Sequence, residues 1–247
     1  MKFLVGYPYF CELEIQNVAG RDNFDTVPGD HIGSMTNADV RLLEAVNQRT
    51  RNIPRRLCMT FVNTEEIYIT NSEIEVLTIS SFEACTRLDR LTLAYNNILI
   101  LPDNIFRLNA NLGWLSLHSN HISQINNNAF TGSRLDVIEL SDNRLTTFNP
   151  APFAAIGDTL EVLDLHVNRL TELASNSFSA LPILKVIDLS RNPGVIIPSN
   201  AFDSQGELHD IVLNDNGMRN VDAGWFRQTT NLTFVSLTGN NIRRLPD

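Results

Sequence analysis

Leu88-Asp-Arg-Leu91-Thr-Leu93-Ala-Tyr-Asn96-Asn-Ile98 decides how the whole chain is read, because the same phrase returns at a nearly fixed interval. Clear copies begin at Leu88, Leu112, Leu135, Leu160, Leu184, Leu208 and Leu232, in steps of 24, 23, 25, 24, 24 and 24 residues. Stepping back by 24 reaches weaker copies at Thr64 (Ile67, Ile69, Ser72, Ile74, Leu77, Phe82) and at Val40 (Leu43, Ala45, Gln48, Ile53, Cys58). That makes nine copies, the last cut off at Asp247. A period of this size marks a solenoid: one copy cannot hide its apolar face alone, and stacked copies bury it against one another.

Each place in the phrase has a physical task. The apolar residues at the fourth and sixth places alternate with polar ones, the period-2 pattern of a strand with one buried face, so stacked copies give a parallel sheet. Asn96, Asn120, Asn143, Asn168, Asn192, Asn216 and Asn240 stand where the chain bends out of that strand. A side-chain amide both donates and accepts, so it can pair backbone groups that the bend would otherwise bury alone. Phe82, Phe106, Phe130, Phe153, Phe178, Phe202 and Phe226 fall 18 residues after the first place of their copies and should stack as a spine beneath the convex side. The expected architecture is an α/β horseshoe, with a concave parallel sheet from residues 40–247 and an amino-terminal cap from residues 1–39. In the cap, residues 11–18 alternate like a strand and residues 20–37 are rich in turn formers. The chain stops in mid-copy without a closing cysteine cluster. It is therefore expected to continue naturally, and its last coil to fray or to be covered in a dimer contact.

Composition narrows the function. The 247 residues are 43% hydrophobic, and 19 Lys and Arg against 28 Asp and Glu give a net charge of -9. Nucleic acid and anionic membrane call for clustered basic residues, so both are disfavoured as partners. No apolar run approaches the roughly 20 residues of a membrane span. The first ten residues, broken by Gly6 and Pro8, are too short for a signal peptide. Three cysteines leave one over. Cys58 holds a spine position and Cys85 follows Phe82 by three residues on the next coil, which favours a Cys58–Cys85 disulfide, with Cys11–Cys58 as the alternative. The single sequon, Asn231-Leu232-Thr233, makes Asn231 a candidate for glycosylation.

The copies carrying Leu101-Pro102, Ala129-Phe130 and Ala201-Phe202 resemble the extracellular class of leucine-rich repeats in Toll-type receptor ectodomains and secreted matrix proteins. The segments Tyr9-Phe10-Cys11-Glu-Leu13, Ile53-Pro54-Arg-Arg-Leu57-Cys58 and Phe82-Glu-Ala-Cys85-Thr-Arg-Leu88 resemble the amino-terminal region of the leucine-rich immune proteins of mosquitoes. The resemblance implies a secreted or cell-surface scaffold in insect innate immunity, with a complement-like protein or another leucine-rich repeat protein as partner. An ectodomain for adhesion or developmental signalling is the alternative it leaves open.

In such a solenoid the residues between the buried leucines of each strand project from the concave face. Glu139, Asp164 and Asp188 form an acidic row there, and Tyr68, Tyr95 and Trp114 gather on the amino-terminal half. With His118, His166 and Phe234 they are the candidate ligand-binding residues, since aromatics beside charge are the usual make-up of a hot spot. His118, Ser141 and His166 share one row with Asp164 two residues from His166, which mimics a hydrolytic triad. An open sheet offers neither oxyanion donors nor a dry pocket, so no enzyme is expected. His118 and His166 would lie about 10 Å apart across two strand spacings, too far to share a metal, so neither metal nor cofactor is expected.

Overall fold

The computed structural model describes residues 10–12 and 36–245. Its strands, in chain order, are β1 (Phe10–Glu12), β2 (Leu42–Val46), β3 (Glu66–Thr70), β4 (Arg90–Thr92), β5 (Ile100–Leu101), β6 (Trp114–Ser116), β7 (Gln124–Ile125), β8 (Val137–Glu139), β9 (Val162–Asp164), β10 (Val186–Asp188), β11 (Asp210–Val212) and β12 (Phe234–Ser236). Ten of them form one sheet in the order β1-β2-β3-β4-β6-β8-β9-β10-β11-β12, and every pairing is parallel. The remaining two, β5 and β7, pair on the flank beyond the turn. Among the described residues helix is confined to α1 (Leu57–Thr60) and four short 3-10 segments, so turns rather than helices make up the convex side of the horseshoe.

The register explains why the uneven steps do no harm. Leu91, Leu115, Ile138, Leu163, Ile187 and Ile211 pair in sequence across the sheet, although the steps on either side of Ile138 are 23 and 25 residues. A one-residue slip would turn each leucine out to solvent, so the irregularity is taken up outside the strands. The longer coil carries the 3-10 segment Ala151–Ile156. Strand β1 lies on the edge of the sheet with Cys11 opposite Leu43. Residues 13–35, which include the rest of the expected strand and the expected loop up to residue 35, lie outside the described residues, and the loop's last residue, Asn37, opens a 3-10 segment (Asn37–Asp39).

The recurring asparagines couple coil to coil. Oδ1 of Asn120 accepts from the Ile98 amide of the preceding coil at 3.1 Å. Its Nδ2 donates to Leu93 O, also in the preceding coil, at 2.8 Å and to Leu117 O in its own at 3.0 Å. Asn96, Asn143, Asn168 and Asn192 repeat this pattern. The residue just before each of these turns has a left-handed backbone throughout: Asn47, Asn71, Tyr95, Ser119, Asp142, Val167, Arg191, Asp215 and Gly239. Only the last is the glycine that this conformation favours, and Val167, with φ 51°, is the least suited because it is β-branched.

The spine runs as read, with two differences. Phe82 and Phe106 lie 5.8 Å apart between ring centroids, and Phe178 and Phe202 stack at 5.6 Å. Between Phe153 and Phe178 an additional ring, Phe148, touches both, at 5.1 and 4.8 Å. In the eighth copy the expected Phe226 is only half-buried. Trp225 is the buried ring there, and its indole N–H donates to Ile197 O. A polar handle that can reach a carbonyl lets Trp fill that layer without an orphaned donor. At the other end Cys58 and Cys85 are bonded, with Cα atoms 5.0 Å apart, and Cys11 is a buried free thiol whose pKa burial raises. The favoured pairing is therefore the one present. In the last described coil Val235, Leu237 and Ile242 are half-buried.

Candidate binding face on the concave sheet

Because side chains alternate along a strand while the register is constant, three parallel rows run across the concave face. The first reads Glu66, Arg90, Trp114, Val137, Val162, Val186, Asp210, Phe234. The second reads Tyr68, Thr92, Ser116, Glu139, Asp164, Asp188, Val212. Two residues beyond these, a third row carries His118, Ser141, His166 and Ser190.

The amino-terminal half is a set of ring contacts. Tyr95, 52% exposed, meets His118 edge-to-face at 4.6 Å, and the Arg90 guanidinium lies 6.0 Å from the centre of the Trp114 ring. Tyr68 is not stacked with them; its hydroxyl donates to the Glu66 carboxylate at 2.8 Å. Burial, and then that carboxylate, push its phenol up to about 12. Thr92 and Ser116, between these groups, are 7% and 1% exposed, with hydroxyls that have no partner among the described residues. On the concave side of a sheet such burial means that flanking side chains cover them.

Toward the carboxy-terminal half the first row becomes apolar, with Val137, Val162 and Val186 half-buried beside Trp114, while the second becomes acidic. Glu139, Asp164 and Asp188 are register partners on successive strands. Among the described residues none of the three has an Arg or Lys ion-pair partner; pairs such as Arg51–Glu75, Lys185–Glu161 and Arg191–Asp215 lie off this row. Asp164 Oδ1 accepts from the His166 amide at 2.9 Å and lies 2.7 Å from Nδ1 of His166, while Asp188 Oδ1 accepts from the Ser190 amide at 2.8 Å. One donor atom from each of Asp164, His166 and Asp188 lies within 4.8 Å of the others.

Of the sequence-derived residues, Tyr95 is brought together with His118, and Glu139 with Asp164, Asp188 and His166, while Trp114 meets Arg90 instead of the other candidate rings. Phe234, 52% exposed, stands apart on β12 at the far edge of the sheet. Asn231 is exposed, and its amide donates to Glu207 at 3.3 Å. Sequence reading placed Arg90 and the valines in the first row without singling them out, and it did not foresee that His166 meets Asp188 as well as Asp164. The signal was available: residues i and i+2 share a face, and residues 24 apart are neighbours.

These rows have relatives. The leucine rich repeat model matches residues 62–122, 110–156 and 158–208. The chain belongs to the leucine-rich repeat family. It is 30% identical over 174 residues to human Toll-like receptor 3, and equally to the Bos taurus receptor, which is 68% of this chain and 19% of either relative. The chain therefore spans about a fifth of the length of the curated relatives it matches. Among solved structures it is similar to a chain of the Toll–Spatzle complex of Drosophila in its glycosylated form, with a TM-score of 0.74 and 23% identity over 85% of this chain and 28% of that one. A second structure of that complex gives a TM-score of 0.67 at 21% identity, over 82% of this chain and 30% of that one. No helix among the described residues is long and apolar enough to cross a membrane.

Proposed function

We propose that this chain is a protein-binding scaffold of a secreted or cell-surface protein in insect innate immunity, and that its concave face grips the partner. The observation that carries this is the in-register pairing of an apolar stripe (Trp114, Val137, Val162, Val186) with an acidic row (Glu139, Asp164, Asp188) that no Arg or Lys neutralises among the described residues. Like charges directly opposite on neighbouring strands are unfavourable by themselves, and a bound cationic surface relieves them. The fitting partner presents an apolar ridge flanked by Lys or Arg. A complement-like protein or another leucine-rich repeat protein is the class we favour, and a dimer is compatible with it. The similar Toll–Spatzle complex is a molecular hub in Drosophila development and innate immunity, which keeps a developmental receptor as the second reading. Catalysis is set aside in this reading, since Ser141 is buried and acyl transfer needs a nucleophile accessible to substrate beside oxyanion donors.

The test is affinity capture from insect haemolymph with three proteins: wild type, a concave Tyr68→Ala/Trp114→Ala variant, and a convex Leu108→Ala variant. Truncating central aromatic anchors should weaken capture by ~2 kcal/mol or more. Equal capture by wild type and the concave variant, with loss in the convex one, would refute the assignment.

A further inference from the structure

Asp164 and Asp188 face each other from β9 and β10, and His166 projects from the same face two residues beyond Asp164. We propose that these three side chains form a binding site for a single divalent transition-metal ion of the zinc type, held between β9 and β10 on the concave face. The inference does not depend on which protein binds there.

What sets the cluster apart from an acidic surface patch is its imidazole. One nitrogen and oxygens from two different carboxylates converge, a three-ligand set of intermediate softness that suits zinc and leaves a fourth position open. Calcium, by contrast, takes six to eight oxygens, and this face does not gather them. The spacing fits as well. Bonds of about 2.0–2.2 Å in a tetrahedral shell place ligand atoms roughly 3.3–3.6 Å apart. The present separations, from 2.7 Å for His166 Nδ1 to Asp164 Oδ1 up to the 4.8 Å limit of the cluster, bracket that range. Small side-chain rotations therefore suffice, without movement of the strands.

Two further features prepare the site. Backbone amides of His166 and Ser190 pin one oxygen of each aspartate, and the other oxygen has no hydrogen-bond partner among the described residues. Such outer hydrogen bonds fix carboxylate orientation before the ion arrives. Neither aspartate has a Lys or Arg partner among the described residues, and Glu139 adds a third carboxylate in register with Asp164, so the site attracts cations. The open fourth position faces the groove, where water or a donor atom of a bound partner completes the shell.

The experiment is calorimetric titration of ZnCl2 into the purified protein in a non-coordinating buffer. One equivalent should bind. His166→Ala and Asp188→Asn should each weaken binding at least tenfold, while His209→Ala, at an exposed histidine outside the three rows, should leave it unchanged. CaCl2 at tenfold excess should not displace the zinc. All three side chains are on the surface, so circular dichroism of the variants should match wild type. Cobalt titrated into the wild type gives a readout free of substitutions, a saturating visible band that zinc abolishes. No saturable uptake, no cobalt band, calcium displacing zinc, or wild-type affinity in both His166→Ala and Asp188→Asn would each overturn the site.

Discussion

Replacing Asn120 with Ala is the sharpest test of how the coils hold together. Asn120 is 4% exposed, and the substitution removes Nδ2 donation to Leu93 O and Leu117 O together with Oδ1 acceptance from the Ile98 amide. A further contact to His118 O at 3.3 Å is the weakest of the set. Counting three firm bonds at roughly 1 kcal/mol net each gives ~3 kcal/mol, and the buried groups left without partners push the loss upward, toward ~4 kcal/mol. Asn240 is the matched control. It makes the same kinds of bonds, to Leu213 O, Leu237 O and the amides of Asn216 and Met218, but it is only half-buried in the open last coil. Water can replace its amide there, so Asn240→Ala should cost no more than ~1.5 kcal/mol. Urea unfolding followed by tryptophan fluorescence compares the midpoints. Hydrogen exchange at the Ile98 amide gives a local reading that does not assume two-state behaviour in a repeat array. Equal losses at the two sites, or unchanged protection of Ile98 in Asn120→Ala, would show that the asparagines do not couple adjacent coils as described.

Other outcomes follow from the same structure. Val167→Asn relieves a β-branched residue from the left-handed region and should raise stability by ~1 kcal/mol, so an unchanged or lower thermal midpoint would contradict the strain assigned there. Cys58 and Cys85 close a loop across 27 residues, and removing the bond in Cys58→Ala/Cys85→Ala should cost ~3.5 kcal/mol by loop-closure entropy, read as a urea midpoint under non-reducing conditions; a loss below ~1 kcal/mol would argue against it. The Tyr68 phenol, raised from 10.0 to about 12 in the fold, contributes stability that is complete below pH 10 and is lost as pH rises toward 12. Alkaline absorbance titration should find a late-ionising tyrosine that is missing in Tyr68→Phe, and no difference between the two proteins would remove the burial and the Glu66 bond as its cause.

The parts of the fold that repeat were legible in the sequence, because periodic positions carry periodic burdens. Leu91, Leu115 and Ile138 declared the strand register, Asn120 and its counterparts the bend, and Cys58 with Cys85 the first spine layer. What escaped was whatever depends on a neighbour that is remote in sequence and differs from coil to coil. Phe148 enters the spine from a flank position that holds Leu101 and Ile125 in the preceding coils, where no pattern marked it. Trp225 displaces Phe226 because a carbonyl, Ile197 O, lies within reach of its indole. On the concave face the row composition was readable, whereas the pairing of Tyr95 with His118 and of Arg90 with Trp114 depends on rotamers, which spacing does not specify.

The asparagine bonds also have a direction. Each amide completes backbone groups of the coil that precedes it in the chain, 21 to 28 residues earlier, so a coil is finished only by its successor. For a chain synthesised from its amino terminus, this ordering matches emergence from the ribosome. Every newly extruded turn arrives carrying the groups its predecessor lacks, and the growing protein trails a single unfinished rung at its tip. Vectorial synthesis thereby confines sticky, unpaired backbone to one moving edge instead of spreading it along the whole length of the nascent polypeptide.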